Sequence, residues 1–478
     1  MNPSPILPKK GRLGFHYFPD SLHYSLRELQ NWLPILHSLG SSWITLVAPE
    51  SRAIPEPFIR TLVDANIAPV LQFDLPLDIL TRRNSLRILL ESYRDWGVRY
   101  VALFDRPNQR AVWPGAAWTQ PELVERFLDI YLSLAESLLS LDLIPVFPPL
   151  EPGGDYWDIA FLRAALRGIV RRGKYDLIEK LVLGAYAWPG NRPLSWGAGG
   201  PERWPGARPY FTPPGVQDQR GFHIFDWYMT ISKAEIGRQL PVILLKAGSR
   251  LGDQADADRP PIDAHSHAAR NMKIARAMGG DFEAPGPAGK NGKSMAQNSD
   301  PKDDLLTEAV PPEVLCCNFW LLACEPDHPA ASQAWIKSDG SQLPIVEVMR
   351  RWVARRQNTS QFMQKDIQRR NGNGNGNGQA KQQAAAPALA NEASHPIEHY
   401  LLLPVYDWGV HEWHLEIMRQ FVKEHQPTVG FSIAEASLAK RVTIIGGVQA
   451  FPEEILKVLR DSGCQVERIT ADGTLIAT

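Results

Sequence analysis

The chain has no excess of charge of either sign. Its 478 residues include 51 basic and 52 acidic side chains, which gives a formal net charge of −1. This balance excludes the strongly basic surface by which proteins attract nucleic acids or anionic membranes. We therefore expect no nucleic-acid partner.

Long apolar segments are also missing. The N-terminal stretch "MNPSPILPKKGRLGF" has no apolar core of a secretory signal peptide, and no run approaches the length of a membrane-spanning helix. We expect no membrane insertion. The absence of a signal predicts a cytoplasmic protein, and the cell surface stays open if the chain is exported by another route.

Cysteine is scarce and unevenly spaced. The four cysteines are Cys316, Cys317, Cys324 and Cys464. Their spacing fits neither a disulfide framework nor a CxxC metal site, so we expect buried free thiols. In "DAHSHAAR", His265 and His267 stand near a predicted helix start without a third ligand, which favours a solvated surface pair. The sequence predicts no metal and no cofactor.

Short apolar runs alternate with amphipathic helical patterns through the first two-thirds of the chain. The predicted strands are residues 13–18, 43–47, 68–73, 99–104, 143–147, 181–185, 241–245 and 315–321. Eight strands in β/α order predict an α/β fold, a closed TIM (β/α)8 barrel. A doubly wound open sheet is the alternative, but the glycine-rich phosphate loop that usually follows an early strand of such a sheet is missing.

Composition divides the chain into three parts. Residues 1–355 form the predicted barrel, in which the polar segment 281–312 predicts a long loop before the last strand. Residues 356–395 contain "NGNGNGNG" and "QAKQQAAAPALANEA", which indicate a flexible low-complexity linker. Residues 396–478 predict a small α/β domain with strands in "YLLLPVY", "RVTIIGG" and "CQVERI" and helices in "VHEWHLEIMRQFVKEH" and "PEEILKVLRDSG".

Polar and aromatic side chains follow most of the predicted barrel strands. In such barrels the carboxyl ends of the strands carry the functional groups. Carboxylates and amides for hydroxyl groups, with rings for stacking, suit a carbohydrate ligand, although core packing alone also explains the 15 Trp and 12 Tyr. The candidate ligand-binding residues are Tyr17, Asp74, Asp105, Asn108, Glu151, Tyr186, Trp188 and Trp320.

Two strand-end motifs, "FDRPNQR" and "LLKAGS", carry a family resemblance. The barrel segment resembles the glycoside hydrolases whose catalytic glutamates lie on strands four and seven. Strand four of that group ends in Asn-Glu-Pro, and here Asp105 and Arg106 precede the retained Pro107. Strand seven of that group carries Glu before a glycine, and here Lys246 precedes the retained Gly248 by two positions.

The resemblance implies a degenerate hydrolase, since a cation stands at both glutamate positions. A guanidinium does not deprotonate to act as a base, and an ammonium cannot form a glycosyl ester. Arg106 and Lys246 then either close the old site through salt bridges to Asp105, Glu151 or Asp74, or bind an anionic ligand such as an acidic sugar or phosphate. Relocated catalysis by Glu151, Asp155 and Asp74 is the enzymatic alternative.

The C-terminal segment has a resemblance of its own. "RVTIIGGVQAFPEEILKVLRDSGCQVERITADGT" is similar to the type-2 cell-wall-binding repeat of bacterial surface proteins. The matching residues are Gly446, Gly447, Leu459, Val466, Arg468 and Ile469. Those repeats normally occur three at a time, and one is present here, so a plain α/β docking domain is the alternative.

These observations favour a non-catalytic barrel that binds a carbohydrate or serves as a scaffold for a protein assembly partner. A glycoside hydrolase with relocated carboxylates is the second function class. A purely structural interaction protein with a filled cleft is the third.

The linker generates the first testable prediction. Residues 356–395 have too little apolar surface to offset the entropy of ordering them. We expect limited proteolysis to cut there first and to release two folded fragments, identified by mass spectrometry and circular dichroism. Cleavage elsewhere, with this segment intact, would mean that the segment is docked on one domain.

Overall fold

The computed structural model divides the chain into two compact units, Met1–Gly372 and Asn373–Thr478, which we describe separately. The structure describes residues 11–79, 83–279, 309–356, 395, 397–404, 421–422, 425, 427–430, 432–446, 451, 453–469 and 475–477. Residues 357–394 of the predicted linker and 281–308 of the predicted loop lie outside the described residues.

The first unit is a closed barrel of eight parallel strands, as the sequence predicts. The strands are β1 (Leu13–His16), β2 (Trp43–Ala48), β3 (Ala68–Phe73), β4 (Tyr100–Leu103), β5 (Ile144–Phe147), β6 (Val182–Ala187), β7 (Val242–Ala247) and β8 (Val314–Phe319). Each strand pairs with the next along the chain, and β8 pairs with β1. That last pairing closes the sheet and excludes the open doubly wound alternative.

Helices connect the strands. They are α1 (Leu26–Ser38), α2 (Glu56–Asp64), α3 (Arg83–Asp95), α4 (Leu123–Ser140), α5 (Asp158–Arg171), α6 (Tyr175–Lys180), α7 (Gly200–Arg203), α8 (Ile224–Ile236), α9 (Ala264–Gly279) and α10 (residues 344–356). A capping box of Ser25 and Glu28 starts α1. Gly40 and Gly97 follow α1 and α3 with φ of 69° and 98°, as the terminal glycines of those patterns predict.

Inward-facing side chains fill the barrel, so it encloses a core and no channel. This inner cluster includes Trp43, Val70, Tyr100, Val146, Ile243 and Leu245. The Trp43 and Tyr100 rings lie 5.2 Å apart. Burial of each large side chain stabilises the fold by about 1.5–3 kcal/mol. A larger apolar cluster lies between the strands and the helices.

The closing seam is held by an arginine as well as by the sheet. β1 and β8 pair with Leu13 opposite Cys317. The Arg12 guanidinium donates to the backbone carbonyls of Val310 and Val314, at 3.0 Å each from Nη1 and Nε. Because a guanidinium presents several donors in one plane, it can bridge carbonyls on both sides of the turn into β8.

The structure confirms the cysteine prediction and contradicts part of the histidine prediction. All four cysteines are free and buried. His265 is exposed near the start of α9, as expected, but His267 is buried. The His267 ring packs edge-on against Trp335 at 5.8 Å. The solvated-pair interpretation is therefore wrong for His267, because α9 turns that side chain toward the barrel.

Two short strands of the first unit, β9 (Ala323–Cys324) and β10 (Ile336–Lys337), follow the barrel strands along the chain.

The second unit is built on a mixed sheet. The sheet strands of the second unit are β11 (Ile397–Leu402), β12 (Thr428–Gly430), β13 (Ala439–Ile445), β14 (Gln465–Ile469) and β15 (Leu475–Ala477), with helices α11 (Ile433–Ala436) and α12 (Glu453–Asp461). The sheet order is β12-β11-β13-β14-β15, and only β15 is antiparallel to its neighbour among these described strands.

The second unit contains more strands than the sequence predicts. The three predicted strands correspond to β11, β13 and β14, and the predicted helix at 452–463 corresponds to α12. β12 and β15 are additions, since three-residue strands leave no clear alternation to detect. Nearly all of the predicted helix at 410–425 lies outside the described residues.

No helix within the described ranges is long and apolar enough to cross a bilayer.

Candidate functional site

Polar side chains replace apolar ones at the carboxyl end of the barrel interior. Strand alternation that points Val70 and Tyr100 inward also points Gln72 of β3 and Tyr186 of β6 inward. His16 is the last residue of β1 at this end of the barrel. Its ring centre lies 4.8 Å from the ring centre of Trp320, which follows β8. The carboxyl ends of the strands thus surround one polar layer.

An interruption of the alternation at the end of β4 aims an acidic residue into this layer. Phe104 has φ of 75° and Arg106 has φ of 47°, both in the left-handed region that side-chain-bearing residues rarely adopt. Phe104 packs against Phe127 of α4 at 5.6 Å, so it joins Leu103 on the outside of the barrel. Asp105 follows Phe104 and takes the inward place.

Asp105 is buried and accepts hydrogen bonds from three directions. The Tyr186 hydroxyl donates to Oδ1 at 2.5 Å, and the Gln72 amide donates to the same oxygen at 3.3 Å. Arg106 Nε donates to Oδ2 at 3.1 Å. Gln72 also donates to the Tyr186 hydroxyl at 2.7 Å, so the three strands are joined in one network. The network fixes the Tyr186 ring.

Arg106 is held by two carboxylates. Besides its bond to Asp105, its Nη1 lies 3.5 Å from Glu151 Oε2, and its backbone N–H donates to Pro149 at 3.0 Å. Burial alone would lower the pKa of Arg106, but the charges of Asp105 and Glu151 raise it on balance. Arg106 therefore stays protonated, as the salt-bridge interpretation of the sequence expects.

Lys246 differs from Arg106. Its Nζ lies 4.6 Å from the centre of the Tyr186 ring and 5.0 Å from that of Trp320, both within range of a cation–π contact. It forms no hydrogen bond or ion pair with any described residue. Desolvation between the rings lowers the pKa of Lys246, although the negative charge of Asp105 opposes the shift.

The three carboxylates considered for relocated catalysis have different surroundings. Glu151 pairs with Arg106. Asp155 is exposed, and its Oδ2 accepts from the backbone N–H of Arg110 at 2.8 Å. Asp74 follows β3 and pairs with no cation among the described residues. Desolvation, reinforced by the Asp105 charge, raises the pKa of Asp74.

Two tryptophans stand at the rim of the layer. Trp188 and Trp320 are both half-buried, and their rings meet at 6.2 Å with an interplanar angle of 86°. The Arg250 guanidinium lies over the Trp188 ring at 4.3 Å and pairs with Asp253 at 3.0 Å. The rim therefore combines aromatic surface with a positive charge.

The structure places two other predicted ligand-binding residues, Tyr17 and Asn108, in supporting positions. Tyr17 is fully buried among the rings of Phe18, Tyr24 and Phe58, so its ring has no surface for a ligand. The position of Tyr17 at a strand end does not predict the burial of its ring. The side chain points outward from the barrel into the helix layer.

Asn108 joins the loops that follow β4 and β5. Its amide nitrogen donates to the carbonyls of Glu151 and Tyr156 at 2.9 Å each, and its oxygen accepts from the Glu151 N–H at 2.8 Å. The side chain is fully buried. Asn108 thus positions Glu151 by its backbone and contributes no free group to the site.

Sequence reasoning missed Gln72 as a site residue. It lies inside the predicted strand "APVLQF", where one polar residue in an apolar run was the available signal. Gln72 Oε1, both ring nitrogens of His16 and Asn318 Oδ1 are buried without a hydrogen-bond partner among the described residues. Burial, and then the charge of Lys246, lower the pKa of His16, so its ring is neutral at pH 7.

Within the described ranges, no three His, Cys, Asp or Glu side chains form a group that could hold a metal ion.

No protein-family model and no curated protein matches the chain. Among solved structures, the barrel is similar to a family 39 glycoside hydrolase from the gut symbiont Bacteroides cellulosilyticus WH2, with 11% identity over 71% of this chain and 63% of that chain and a TM-score of 0.43. It is also similar to a fungal beta-1,4-galactanase, with 10% identity over 70% of this chain and 99% of that chain and a TM-score of 0.42.

A third similar structure is an endo-beta-1,3-glucanase from Sorangium cellulosum, with 9% identity over 71% of this chain and 97% of that chain and a TM-score of 0.38. At these values the similarities carry no argument about activity. The class that the structure itself defines is a (β/α)8 barrel with a polar layer at the carboxyl ends of its strands.

The role of Asn108 generates a prediction. Asn108→Ala removes three part-buried hydrogen bonds to the backbone, and a group left without a partner, such as the Glu151 N–H, costs about 1–3 kcal/mol. We expect the free energy of unfolding to fall by at least that amount in urea denaturation. A ligand-contacting role would instead leave stability unchanged. Asn191→Ala is the variant for comparison in the same unfolding measurement. Asn191 is also a buried amide that joins two loops, but it lies after β6.

Proposed function

We propose that the barrel is a degenerate, glycosidase-like protein that binds a carbohydrate at the carboxyl ends of its strands without hydrolysing it. The observation that carries the proposal is the pair of cations, Arg106 after β4 and Lys246 on β7. Both stand where the resembled hydrolases carry their catalytic glutamates.

The surroundings of these cations support the loss of glycosidase chemistry. Retaining hydrolysis needs two carboxyl groups about 5–5.5 Å apart, one as nucleophile and one as acid and base. The Asp105 carboxylate accepts hydrogen bonds from Tyr186, Gln72 and Arg106. The Glu151 carboxylate forms an ion pair with Arg106. Neither carboxylate is free to attack a sugar carbon.

The remaining polar groups suit a neutral sugar. Lys246 keeps its three N–H donors, and Asp74 keeps its acceptor oxygens, since neither has a polar partner among the described residues. A sugar hydroxyl both donates and accepts hydrogen bonds, so hydroxyl groups can satisfy either kind of group. Gln72 Oε1 offers a further buried acceptor.

The rim supplies a surface for the apolar face of a sugar. Trp188 is half-buried, and Arg250 and Tyr186 hold its ring in position. A fixed ring loses little entropy when a ligand stacks on it. We therefore assign the stacking contact to Trp188, with Trp320 perpendicular to it.

For the second unit we propose a docking role and no wall-binding surface. The residues that carry its resemblance are mostly internal: Leu459 and Val466 pack in its core, and Arg468 donates to the Phe451 carbonyl at 2.6 Å. These residues stabilise the fold of the segment. The resemblance therefore supports an architecture in common with the cell-wall-binding repeats but does not support a ligand in common with them.

The first prediction from this proposal concerns activity. We expect no turnover of a panel of chromogenic aryl-glycosides, because Arg106 and Lys246 cannot replace the two carboxylates. Release of the chromophore is the measurement. Robust hydrolysis by the natural chain that disappears in Glu151→Gln, with the fold intact, would contradict the proposal and favour relocated carboxylates.

The second prediction concerns binding. Trp188→Ala removes the stacking ring, which is worth about 1–3 kcal/mol by aromatic burial and pairing. We expect affinity for the glycan found by an array screen to fall roughly tenfold or more, since 1.4 kcal/mol corresponds to one decade. Calorimetry and thermal melting should be measured on the same sample.

The matched control is Trp352→Ala. Trp352 is also half-buried and also carries an arginine, Arg356 at 4.9 Å, but it lies on the outer helix α10. Its loss should lower stability and leave affinity unchanged. If Trp188→Ala behaves in the same way, or if the natural chain binds no glycan, the barrel acts as a scaffold only.

A further inference from the structure

A short hairpin in the connection between β6 and α8 carries two exposed aromatic rings. Arg208 and Phe211 close the hairpin with two backbone hydrogen bonds, of 3.0 Å and 3.1 Å, and Pro209 and Tyr210 form its tip. Tyr210 and Phe211 are 62% and 60% exposed. Neighbouring exposed rings at the tip of a surface loop mark a candidate contact with another molecule.

The backbone at Tyr210 adopts a conformation that costs free energy. Its φ of 64° lies in the left-handed region, which bulky side chains rarely adopt. Glycine or asparagine is usual where a turn needs a positive φ. The turn itself therefore does not call for a tyrosine, and strain of this kind is typical of positions whose side chain has a function.

The Tyr210 ring is fixed at its hydroxyl end, while much of its surface is open to solvent. The hydroxyl group accepts from the Trp157 backbone N–H at 2.9 Å and donates to the Asp155 carbonyl at 3.4 Å. The ring centre lies 5.5 Å from that of Trp157, a buried side chain over which the Arg220 guanidinium lies at 5.3 Å. A ring held in this way loses little entropy when a ligand stacks on it.

The loop that anchors Tyr210 begins at the polar layer of the barrel. Glu151 starts this loop and lies 3.5 Å from Arg106, and Trp157 ends it. A turn from the Gly154 N–H to the Glu151 carbonyl, at 3.0 Å, shortens the loop. Even a fully extended chain from Glu151 to Trp157 would span at most about 20 Å. Tyr210 therefore lies within the length of an oligosaccharide from the polar layer.

Polar groups for sugar hydroxyls accompany the ring. Asp155 is exposed, and its Oδ2 accepts from the backbone N–H of Arg110 at 2.8 Å, while Oδ1 has no partner among the described residues. Arg110 is also exposed, and its guanidinium forms no hydrogen bond or ion pair within the described ranges. A carboxylate that accepts and a guanidinium that donates, together with an aromatic ring, suit a saccharide unit.

We propose that Tyr210 is a second stacking residue for carbohydrate, and that the ligand of the barrel is an oligosaccharide that extends from Trp188 along the loop after β5 to Tyr210. No hydrogen bond or ring contact joins Tyr210 to Trp188 among the described residues, so we assign the two rings to different units of the chain. This inference rests on the proposed function and adds the length of the ligand to it.

A protein partner fits the hairpin less well than a glycan does. An aromatic side chain buries about 150–250 Å², so the two rings of the hairpin together supply at most about 500 Å². A specific protein interface takes about 800 Å² from each partner. A saccharide unit stacks on one ring and needs no larger apolar surface.

Affinity as a function of chain length tests the proposal. Cello-, laminari- and β-1,4-galacto-oligosaccharides, from the disaccharide to the hexasaccharide, are titrated into the full chain by isothermal titration calorimetry. In a series that binds, we expect the affinity of the hexasaccharide to exceed that of the disaccharide by at least about tenfold, the order of one stacked ring. Equal affinity along every binding series would overturn the proposal.

Tyr210→Gly removes the ring without straining the backbone. Glycine adopts a positive φ at no steric cost, so the variant should melt at the temperature of the natural chain or above it. We expect its affinity for the hexasaccharide to fall by about tenfold, with the affinity for the disaccharide unchanged. An equal loss for both sugars, or no loss for either, contradicts the assignment of Tyr210.

Tyr175→Ala is the matched control. Tyr175 is 61% exposed, nearly the same as Tyr210, but it starts α6, which precedes β6 and so lies away from the carboxyl ends of the strands. Its loss should leave the affinity for every member of the series unchanged. A fall equal to that in Tyr210→Gly would show that any exposed tyrosine has this effect, and the second site would be rejected.

The two proposals fail in distinguishable ways. Disaccharide binding that depends on Trp188 but does not strengthen with chain length removes the second site and leaves the proposed function. A gain with chain length that persists in Tyr210→Gly places the further contact elsewhere and rejects Tyr210 alone. If no oligosaccharide of the three series and no glycan of the array binds, both proposals are wrong.

Discussion

The buried carboxylate of Asp105 is the constraint on which the open end of the barrel depends. Its two oxygens accept from Tyr186 on β6, Gln72 on β3 and Arg106 after β4. A buried carboxylate is stable only when donors surround it, so the three side chains are needed together. The left-handed backbone at Phe104 is what aims the carboxylate inward, and its cost of about 1–3 kcal/mol is offset by the network.

The same carboxylate separates the roles of the two cations. Asp105 bonds Arg106 directly and holds Lys246 only at a distance, through the ring of Tyr186. One cation thus stabilises the structure, while the other keeps its hydrogen-bonding capacity. The sequence treats them as equivalent replacements, and only their partners distinguish them.

The sequence predicted more of the fold than of the site. Apolar runs such as "APVLQF" located all eight barrel strands, because strands buried on both faces are apolar almost throughout. The same reasoning located Asp105, Arg106 and Lys246 at strand ends. It could not separate Tyr17, which points into the helix layer, from Tyr186, which points into the barrel.

Other site features depend on contacts that no local pattern encodes. The burial of His267 follows from the orientation of α9 against Trp335, and the role of Asn108 follows from a loop 43 residues away. Sequence gives the chemical type of such residues but not the direction of their side chains. Long-range packing supplies that direction.

The seam between β1 and β8 also has a consequence for the growing chain on the ribosome. Arg12 and the carbonyl that it binds in Val314 are 302 residues apart, so the first strand is made long before its second neighbour exists. At about 5–20 residues per second, that interval lasts about 15–60 seconds. During this time the edge of β1 has no partner strand, and an unpaired edge invites wrong pairing. One edge of the nascent barrel is therefore open to wrong pairing until the last strand emerges.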